Sequence, residues 1–462
     1  MSLPVAAIVE RQRAFFKSGA TRPLEFRRQQ LQQLADAIQT REPALLQALQ
    51  ADLRKSPYQA YATEIGLVLS ELRHARRQLP AWMKPRRRRT PLAAWPACGF
   101  TQPEPYGVAL ILGPWNYPFQ LIFSPLVGAI AAGNCAILKP SEFAPHTAAA
   151  VAELVTATFS PDYVAAVSGN QAVAETLLRE KFDAIFFTGS TRVGKLVMAA
   201  AARHLTPVTL ELGGKCPCLV CADAPPDLAA RRIAWGKFMN AGQTCVAPDF
   251  VLVERRLRDP LVAALKRVIV EFYGEDPRQS PDYGRIINRQ HFERLAAYLA
   301  CGKVVHGGQL DPRELYFAPT LLTDLPPDAP ALHEEIFGPI LPVLDFTSFD
   351  EALALLRDRP IPLALYLFTR DSHLQRRVLA ETRSGGLCIN DTVTHMIGKD
   401  LPFGGLGESG LGACHGQASF DCFTHQRSVL RRSLRVDPRL RYPPQRVALQ
   451  TLKRAYRFLL GG

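Results

Sequence analysis

Five short apolar runs set the terms for this chain: GVALILG (107–113), NCAILKP (134–140), YVAAVSG (163–169), AIFFTGS (184–190) and PVTLELGG (207–214). Each lacks polar alternation, the pattern of a strand buried on both faces. Helical stretches such as HTAAAVAELVTATF and TRVGKLVMAAAARHL lie between them. This alternation predicts an α/β fold with a parallel sheet and right-handed crossovers. Such sheets bind ligands beyond the carboxyl ends of their strands, so chemistry is expected just after these runs. A second series, FAPTLL, GPILPVLDF, LALYLFT and GGLCIN, predicts a second α/β domain over about 211–400. Residues 1–82 read as helical: Leu24, Leu31, Leu34 and Ile38 fall on one helix face. A proline- and arginine-rich stretch near 80–105 interrupts that pattern.

The length of 462 residues suffices for two or three domains. The start, MSLPVAAIVERQRAFF, carries charges where a signal peptide needs an apolar core. No apolar run reaches the ~18 residues of a membrane span. These features predict a cytoplasmic protein with no integral membrane span and with its ten cysteines reduced. The cluster CPCLVC (Cys216, Cys218, Cys221) lacks a second ligand pair at zinc spacing, so no metal is expected. The net charge is +13, with its densest run in KPRRRR (84–89). That run could serve nucleic acid or anionic lipid; a solvated connector is the reading preferred here, with no nucleic-acid partner. The basic, apolar segment LKRAYRFLLGG is read as a docked tail, with contact to a membrane surface as the alternative.

Several motifs follow the predicted strands. In AIFFTGSTRVGK, a strand runs into Gly189 and Ser190, and a helix is expected from about Val193. Free N–H groups at such a helix start suit a phosphate, and glycine at 189 and 194 permits close approach. In LKPSE, Lys139 and Glu142 could hold ribose hydroxyls or form an ordinary polar turn. Cys245 follows a small polar turn, Gly242-Gln243-Thr244, and is the best nucleophile candidate among the cysteines. Glu211 ends a strand before two glycines, where a carboxylate can act as a general base or form a structural ion pair. Asn116, in GPWNYPF, offers an amide donor for an oxyanion. GLGESG (405–410) matches the G-x-G-x-x-G pattern but has neither the entering strand nor the leaving helix that a dinucleotide fingerprint needs.

Together, GPWNYPFQL, LKPSE, FTGSTRVGK, LELGGK, NAGQTCVAP, EEIFGPILPV and PFGGLGESGLG resemble the aldehyde dehydrogenase superfamily in order and rough spacing. TRPLEFRRQQL, RRIAWGKFMN, EFYGEDPRQSPDYGRII and RYPPQR are similar to its class 3 branch. The resemblance implies a Rossmann-type NAD(P)-binding domain (1–82 and 104–210) and a second α/β catalytic domain (211–400). It also implies bridging and oligomerisation segments (83–103 and 401–430), a C-terminal tail (431–462) and a homodimer. The implied reaction is NAD(P)-dependent oxidation of aromatic or medium-chain aliphatic aldehydes to acids, through a thiohemiacetal and a thioester on Cys245. Asn116 and the Cys245 N–H would hold the oxyanion, and Glu211 would activate water. The resemblance assigns Lys139 and Glu142 to the adenosine ribose and places Trp115 and Ser190 near the pyrophosphate. Glu335 and Phe337 fall to the nicotinamide side. Glu142 favours NAD, with NADP use open. Tyr117, Trp235, Met239, Thr244 and Phe403 are implied for the aldehyde pocket, Trp235 and Met239 on one helix face. Cys216 replaces a frequent serine near Glu211 and raises an oxidation liability. Two other functions are weighed: a coenzyme A-dependent acylating relative, and a basic binding protein on an inactive scaffold.

Overall fold

Apolar residues at helical spacing build the first layer of the structure, a computed structural model that describes residues 4–91, 94–444 and 447–459. Its helices include Val5–Lys17, Leu24–Thr40, Glu42–Leu53 and Gly66–Trp82. Leu31, Leu34 and Ile38 are fully buried, while Leu24, at its helix start, is half-buried. Just before Gly66 the helix widens into a π turn, Tyr61–Ile65, which carries Glu64 to a fully buried position. Single π turns of this kind often mark functional sites.

The first strands are β1 (Arg86–Arg88), β2 (Ala97–Pro105), β3 (Val108–Leu112), β4 (Cys135–Lys139), β5 (Val164–Ala166), β6 (Ala184–Thr188) and β7 (Val208–Glu211). Next come β8 (Pro217–Val220), β9 (Phe250–Glu254), β10 (Lys303–His306), β11 (Leu310–Asp311), β12 (Tyr316–Phe317) and β13 (Thr320–Thr323). The last described are β14 (Ile340–Phe346), β15 (Ala364–Phe368), β16 (Gly386–Ile389), β17 (Gly410–Leu411) and β18 (Thr424–Arg432).

The five apolar runs become β3 to β7, paired in parallel in a sheet of order β17-β7-β6-β3-β4-β5. The chain reverses its direction of travel across the sheet between β3 and β6. Ligands of open α/β sheets bind at such a switch point, and here the loops bearing Trp115–Asn116 and Gly189–Ser190 flank it. β7 continues past residue 210, where the sequence reading divided the domains, so Glu211 is the last residue of a strand in this first sheet.

A second sheet has the order β10-β13-β14-β9-β8-β15-β16. Two of its inner strands, β8 and β9, were not anticipated. β8 lies within CPCLVC, and Cys216, Cys218 and Cys221 are all buried. Cysteine acts there as a small apolar residue. Among the described residues, no group of three His, Cys, Asp or Glu is arranged to hold a metal.

A third sheet, β1-β2-β18, corrects the connector reading of KPRRRR: Arg86 to Arg88 form an edge strand paired with β2. Arginines on an edge discourage pairing with foreign strands. Before the chain reaches the bridging strand, Gly410 and Leu411 add an antiparallel edge to β7, opposite Glu211 and Leu210.

The helix Gln120–Ala132 is buried throughout all but one of its residues, and the short helix Gln417–Cys422 crosses it at Gly128. A methyl group on Gly128 would lie 2.7 Å from the Ser419 carbonyl oxygen. Gly128→Val should therefore lower stability by about 1–3 kcal/mol, the usual cost of overpacking. A urea-unfolding midpoint equal to that of the unmodified protein would contradict this contact.

Candidate active site

Glu211 closes β7 with its backbone held on both sides. Its carbonyl accepts from the Gly189 N–H at 3.0 Å, and the next N–H, that of Leu212, donates to the Ser409 carbonyl at 3.1 Å. The side chain is 5% exposed, and neither carboxylate oxygen has a hydrogen-bond partner of ordinary geometry among the described residues. The buried Cys414 thiol is the polar group that faces it. Burial pushes the Glu211 carboxyl well above the usual carboxylate range. A buried, unpartnered carboxylate is costly, and such groups concentrate at functional sites.

The approach to Cys245 is backbone-strained. Asn240 (φ 53°), Ala241 (φ 52°) and Gly242 (φ 75°) are left-handed in succession. A methyl group on Gly242 would collide with the Gly338 carbonyl oxygen at 2.2 Å. Gln243 holds the turn: its side-chain N–H donates to the Arg285 carbonyl at 2.9 Å and the Asn240 carbonyl at 3.0 Å, and its oxygen accepts from the Ile287 N–H at 3.0 Å. Thr244 shares a 2.7 Å hydrogen bond with the Tyr117 hydroxyl. Cys245 is half-buried at the end of this turn. Burial pushes its thiol up to about 12, and the Glu335 and Glu211 carboxylates add to the shift. Cys216 is fully buried, and its thiol donates to the Cys245 carbonyl at 3.4 Å. Burial raises the Cys216 thiol as well, which corrects the expected oxidation liability: the group supports the loop and is shielded.

Asn116 is brought to this turn by a network that sequence reasoning missed. Its side-chain amide donates to the Gln243 carbonyl at 3.0 Å, two residues before Cys245. Its own carbonyl accepts from Lys55 Nζ and from the Asn240 amide, both at 2.9 Å. Lys55 pairs with Glu64, both fully buried, and lies 4.1 Å from the Tyr117 ring centroid. The other Glu64 oxygen accepts from the backbone N–H groups of Phe119 (2.9 Å) and Gln120 (3.2 Å). It thereby caps the helix Gln120–Ala132, which has no side-chain cap of its own. One ion pair thus fixes both ends of the loop that carries Trp115, Asn116 and Tyr117. Lys55 and Asn116 are far apart in sequence, and no local pattern announces their contact.

The implied cofactor residues surround the ends of β4, β6 and β7. Ser190 caps the helix Thr191–Ala202, its hydroxyl accepting from the Val193 N–H at 3.4 Å. Gly194 lets that helix pack on Leu212, and a methyl group there would sit 2.7 Å from the leucine side chain. Lys139 and Glu142 form an ion pair at the end of β4. Glu335 lies against Gly213, where a methyl group would fall 2.3 Å from both carboxylate oxygens, and accepts from the Gly214 N–H at 3.2 Å. Burial raises its carboxyl to about 8. Phe337 is left-handed (φ 50°), and Trp115 meets it edge-on at 5.3 Å. This segment is anchored by Asp249, which accepts from the Ile336 N–H at 3.1 Å and pairs with Lys215 at 2.6 Å. The open helix start at Ser190, the close approach at Gly189 and the unpartnered buried Thr188 hydroxyl fit a dinucleotide phosphate. Glu408, from GLGESG, reaches the same helix: its carbonyl accepts from the Thr191 hydroxyl at 2.9 Å.

The expected aldehyde-pocket residues are less uniform. Tyr117 and Thr244 are buried beside Cys245. Phe403 is buried and stacks on His415 at 5.1 Å. Trp235 is 40% exposed on the helix Pro226–Phe238. Met239 is the first residue beyond that helix, with ψ 135°, so the shared helix face expected for the two does not form.

A family model described as the aldehyde dehydrogenase family matches residues 4–429. The chain is 49% identical over 438 residues to mouse aldehyde dehydrogenase family 3 member A2, covering 94% of this chain and 90% of the relative. It is 46% identical over 443 residues to the 4,4'-diaponeurosporen-aldehyde dehydrogenase of Staphylococcus aureus, covering 96% of each. A solved structure described as the substrate-bound state of Staphylococcus aureus AldH superposes with a TM-score of 0.96 at 45% identity, covering 98% of this chain and all of that one. This chain belongs to the aldehyde dehydrogenase family and closely matches its class 3 members. NAD(P)-dependent aldehyde oxidation is the general activity that goes with that membership.

Two outcomes test the electrostatics. Glu64→Gln leaves Lys55 buried without its counter-charge; breaking such a pair costs about 3–5 kcal/mol, readable as a lower urea midpoint. An unshifted midpoint would contradict the pairing. For Glu335 the folded carboxyl titrates near 8, above an unfolded value of about 4.3. The native state then holds more protons than the unfolded state across that interval, so stability falls as pH rises from about 4 to about 8. Glu335→Gln should gain on the unmodified protein over this window. A stability difference that is constant with pH would contradict the burial of the charge.

Proposed function

We propose that Cys245 is the nucleophile of the aldehyde oxidation, Asn116 its oxyanion donor and Glu211 the base that activates water. The observation that carries this is the convergence of the three: Asn116 is bonded into the turn that ends at Cys245, and the Cys245 and Glu211 acid groups are near enough to raise the thiol. Sulfur attack on the aldehyde carbon forms the thiohemiacetal, whose oxyanion meets the Asn116 amide and the Cys245 N–H. NAD(P), when bound, would supply the acceptor for the hydride that the adduct must lose to become a thioester. Glu211, its affinity for protons raised by burial, takes a proton from the water that hydrolyses the thioester to acid. Lys139, Glu142, Ser190 and the Glu335–Phe337 segment would hold the dinucleotide, with Trp115 beside it. The Glu142 carboxylate disfavours a ribose 2′-phosphate, so NAD is preferred over NADP.

The unpartnered state of Glu211 favours water over coenzyme A as acceptor, since an acylating enzyme must keep the thioester from hydrolysis. Tyr117, Thr244 and Phe403 offer aromatic and small neighbours to an aromatic or medium-chain aliphatic aldehyde, with Trp235 and Met239 at the edge. We also keep the homodimer as a proposal: the nine-residue β18 lies at the edge of its sheet with most of its side chains exposed.

A panel of such aldehydes, assayed with NAD and with NADP, tests the reading. Cys245→Ala should abolish turnover, and Asn116→Ala should lower kcat by about 10²–10³. Glu211→Gln should release one burst of reduced cofactor and then stall. Normal steady-state turnover in that variant would remove Glu211 from the mechanism, and turnover by Cys245→Ala would remove the covalent route.

A further inference from the structure

The chain from Phe403 to Cys414, which faces the open carboxylate of Glu211, doubles back on itself. The Phe403 N–H donates to the Cys414 carbonyl at 3.0 Å, and the Cys414 N–H donates to the Phe403 carbonyl at 2.7 Å. GLGESG runs between them, with Gly410 of β17 opposite Glu211. The loop closes only without side chains at its neck. A methyl group on Gly404 would strike the Gly412 carbonyl, and one on Gly405 would strike the Ser409 carbonyl. Beyond Cys414 the chain is clamped again. The His415 N–H donates to the Ser419 hydroxyl at 2.8 Å, and the Gly416 N–H donates to the Glu71 carboxylate at 2.8 Å. His415 is left-handed (φ 76°), and its ring stacks on Phe403. The glycines of this loop thus serve to bring one side chain against the end of β7.

That side chain is Cys414. It is buried, and both of its backbone polar groups are engaged with Phe403, so the thiol alone is left to face Glu211. A thiol offers one weak S–H donor and no charge. Two further titratable groups act on the same carboxyl. One is Cys245, and the other is Cys422 at the end of the helix Gln417–Cys422, whose thiol donates to the Ser419 carbonyl at 3.2 Å. Burial raises the Cys414 thiol, and Glu211, Cys422 and Glu71 add to the shift. The S–H form, the one that can donate, is thereby favoured. Burial raises the Glu211 carboxyl, and the contact with Cys414 draws it part of the way back.

We propose that Cys414 is a positioning residue for Glu211, setting the carboxyl at the end of β7 through a single weak S–H donor. The proposal rests on the reading of Glu211 as the base. In that step the oxygen of water bonds the thioester carbon, and its proton passes to the Glu211 carboxylate. The carbon–sulfur bond breaks, and its electron pair returns to Cys245. A carboxylate with no donor beside it has nothing to fix its direction. One held by a hydroxyl or a backbone N–H is stabilised as the anion and loses basicity. The thiol lies between these limits. It fixes the direction of the carboxyl and leaves it most of the proton affinity that burial confers.

The test is a graded series at one position, Cys414→Ser and Cys414→Ala, each checked for native circular dichroism. Two readouts are followed in the full chain. The first is an infrared titration without cofactor, in which the protonated Glu211 carboxyl is the C=O band lost in Glu211→Gln. The second is the pH profile of acid release from benzaldehyde with NAD. The serine hydroxyl is the stronger donor to the anion, so Cys414→Ser should move the Glu211 midpoint and the acid limb of the profile down by at least about half a pH unit. Cys414→Ala removes the donor and should move both up by about as much. Lost packing alone would not drive the two variants in opposite directions. Midpoints that stay in place, or that move the same way in both variants, overturn the proposal; if Glu211→Gln still stalls after its burst, the reading of Glu211 as base survives that failure. Normal turnover by Glu211→Gln would overturn the reading itself, and the proposal with it.

Discussion

The Lys55–Glu64 ion pair is the interaction on which the candidate site depends. Taking two charges out of water is expensive, and mutual attraction seldom gives a large net gain. What the pair provides is geometry. Lys55 holds the Asn116 carbonyl, Glu64 holds the Phe119 and Gln120 N–H groups, and the loop between them has little freedom left. The Asn116 amide can then bond the Gln243 carbonyl and fix the turn before Cys245. Three left-handed residues and the interlocked Gln243 side chain complete that turn. The site is thus preorganised by buried polar groups that bond one another, while both Glu211 carboxylate oxygens have no partner among the described residues.

That exception gives the site its chemical character. Burial raises the Cys245 thiol, and the nearby Glu335 and Glu211 add to the shift. Glu211 and Glu335 are themselves raised by burial, so each retains protons more readily than a free carboxylate. A base of higher than ordinary pKa is better matched to proton abstraction near neutral pH. Cys414, facing Glu211, and Cys216, beneath Cys245, are shielded thiols that pack around these two groups.

Much of the first sheet was legible because β3 to β7 are continuous apolar runs, and a parallel sheet buried on both faces leaves that trace. β8 was hidden because its four residues sit inside a cysteine cluster that suggested metal. Cys245, Glu211 and Asn116 were named from local chemistry and motif order, and the structure brings the three near one another. Their support was not: Lys55, Glu64, Asn240 and Asp249 act across long sequence separations, and a lone charged residue looks the same whether buried or solvated. The Trp235–Met239 pair failed because helix spacing was extended one residue beyond the helix end. GLGESG was read as a glycine-rich loop, and the two-residue strand that it leads into beside Glu211 depends on a tertiary pairing that no local pattern encodes.

The hydrogen bonds predict that Lys55 and Glu64 act on turnover through Asn116. A double-mutant cycle on kcat measures it, using Glu64→Gln, Asn116→Ala and the combination, each checked for native secondary structure. If the pair works by placing the Asn116 amide, Glu64→Gln slows the enzyme when Asn116 is present. It then adds little once the amide is gone, so the double variant is about as slow as Asn116→Ala alone. Rate losses that simply multiply would show that the ion pair and Asn116 act independently, which contradicts that coupling.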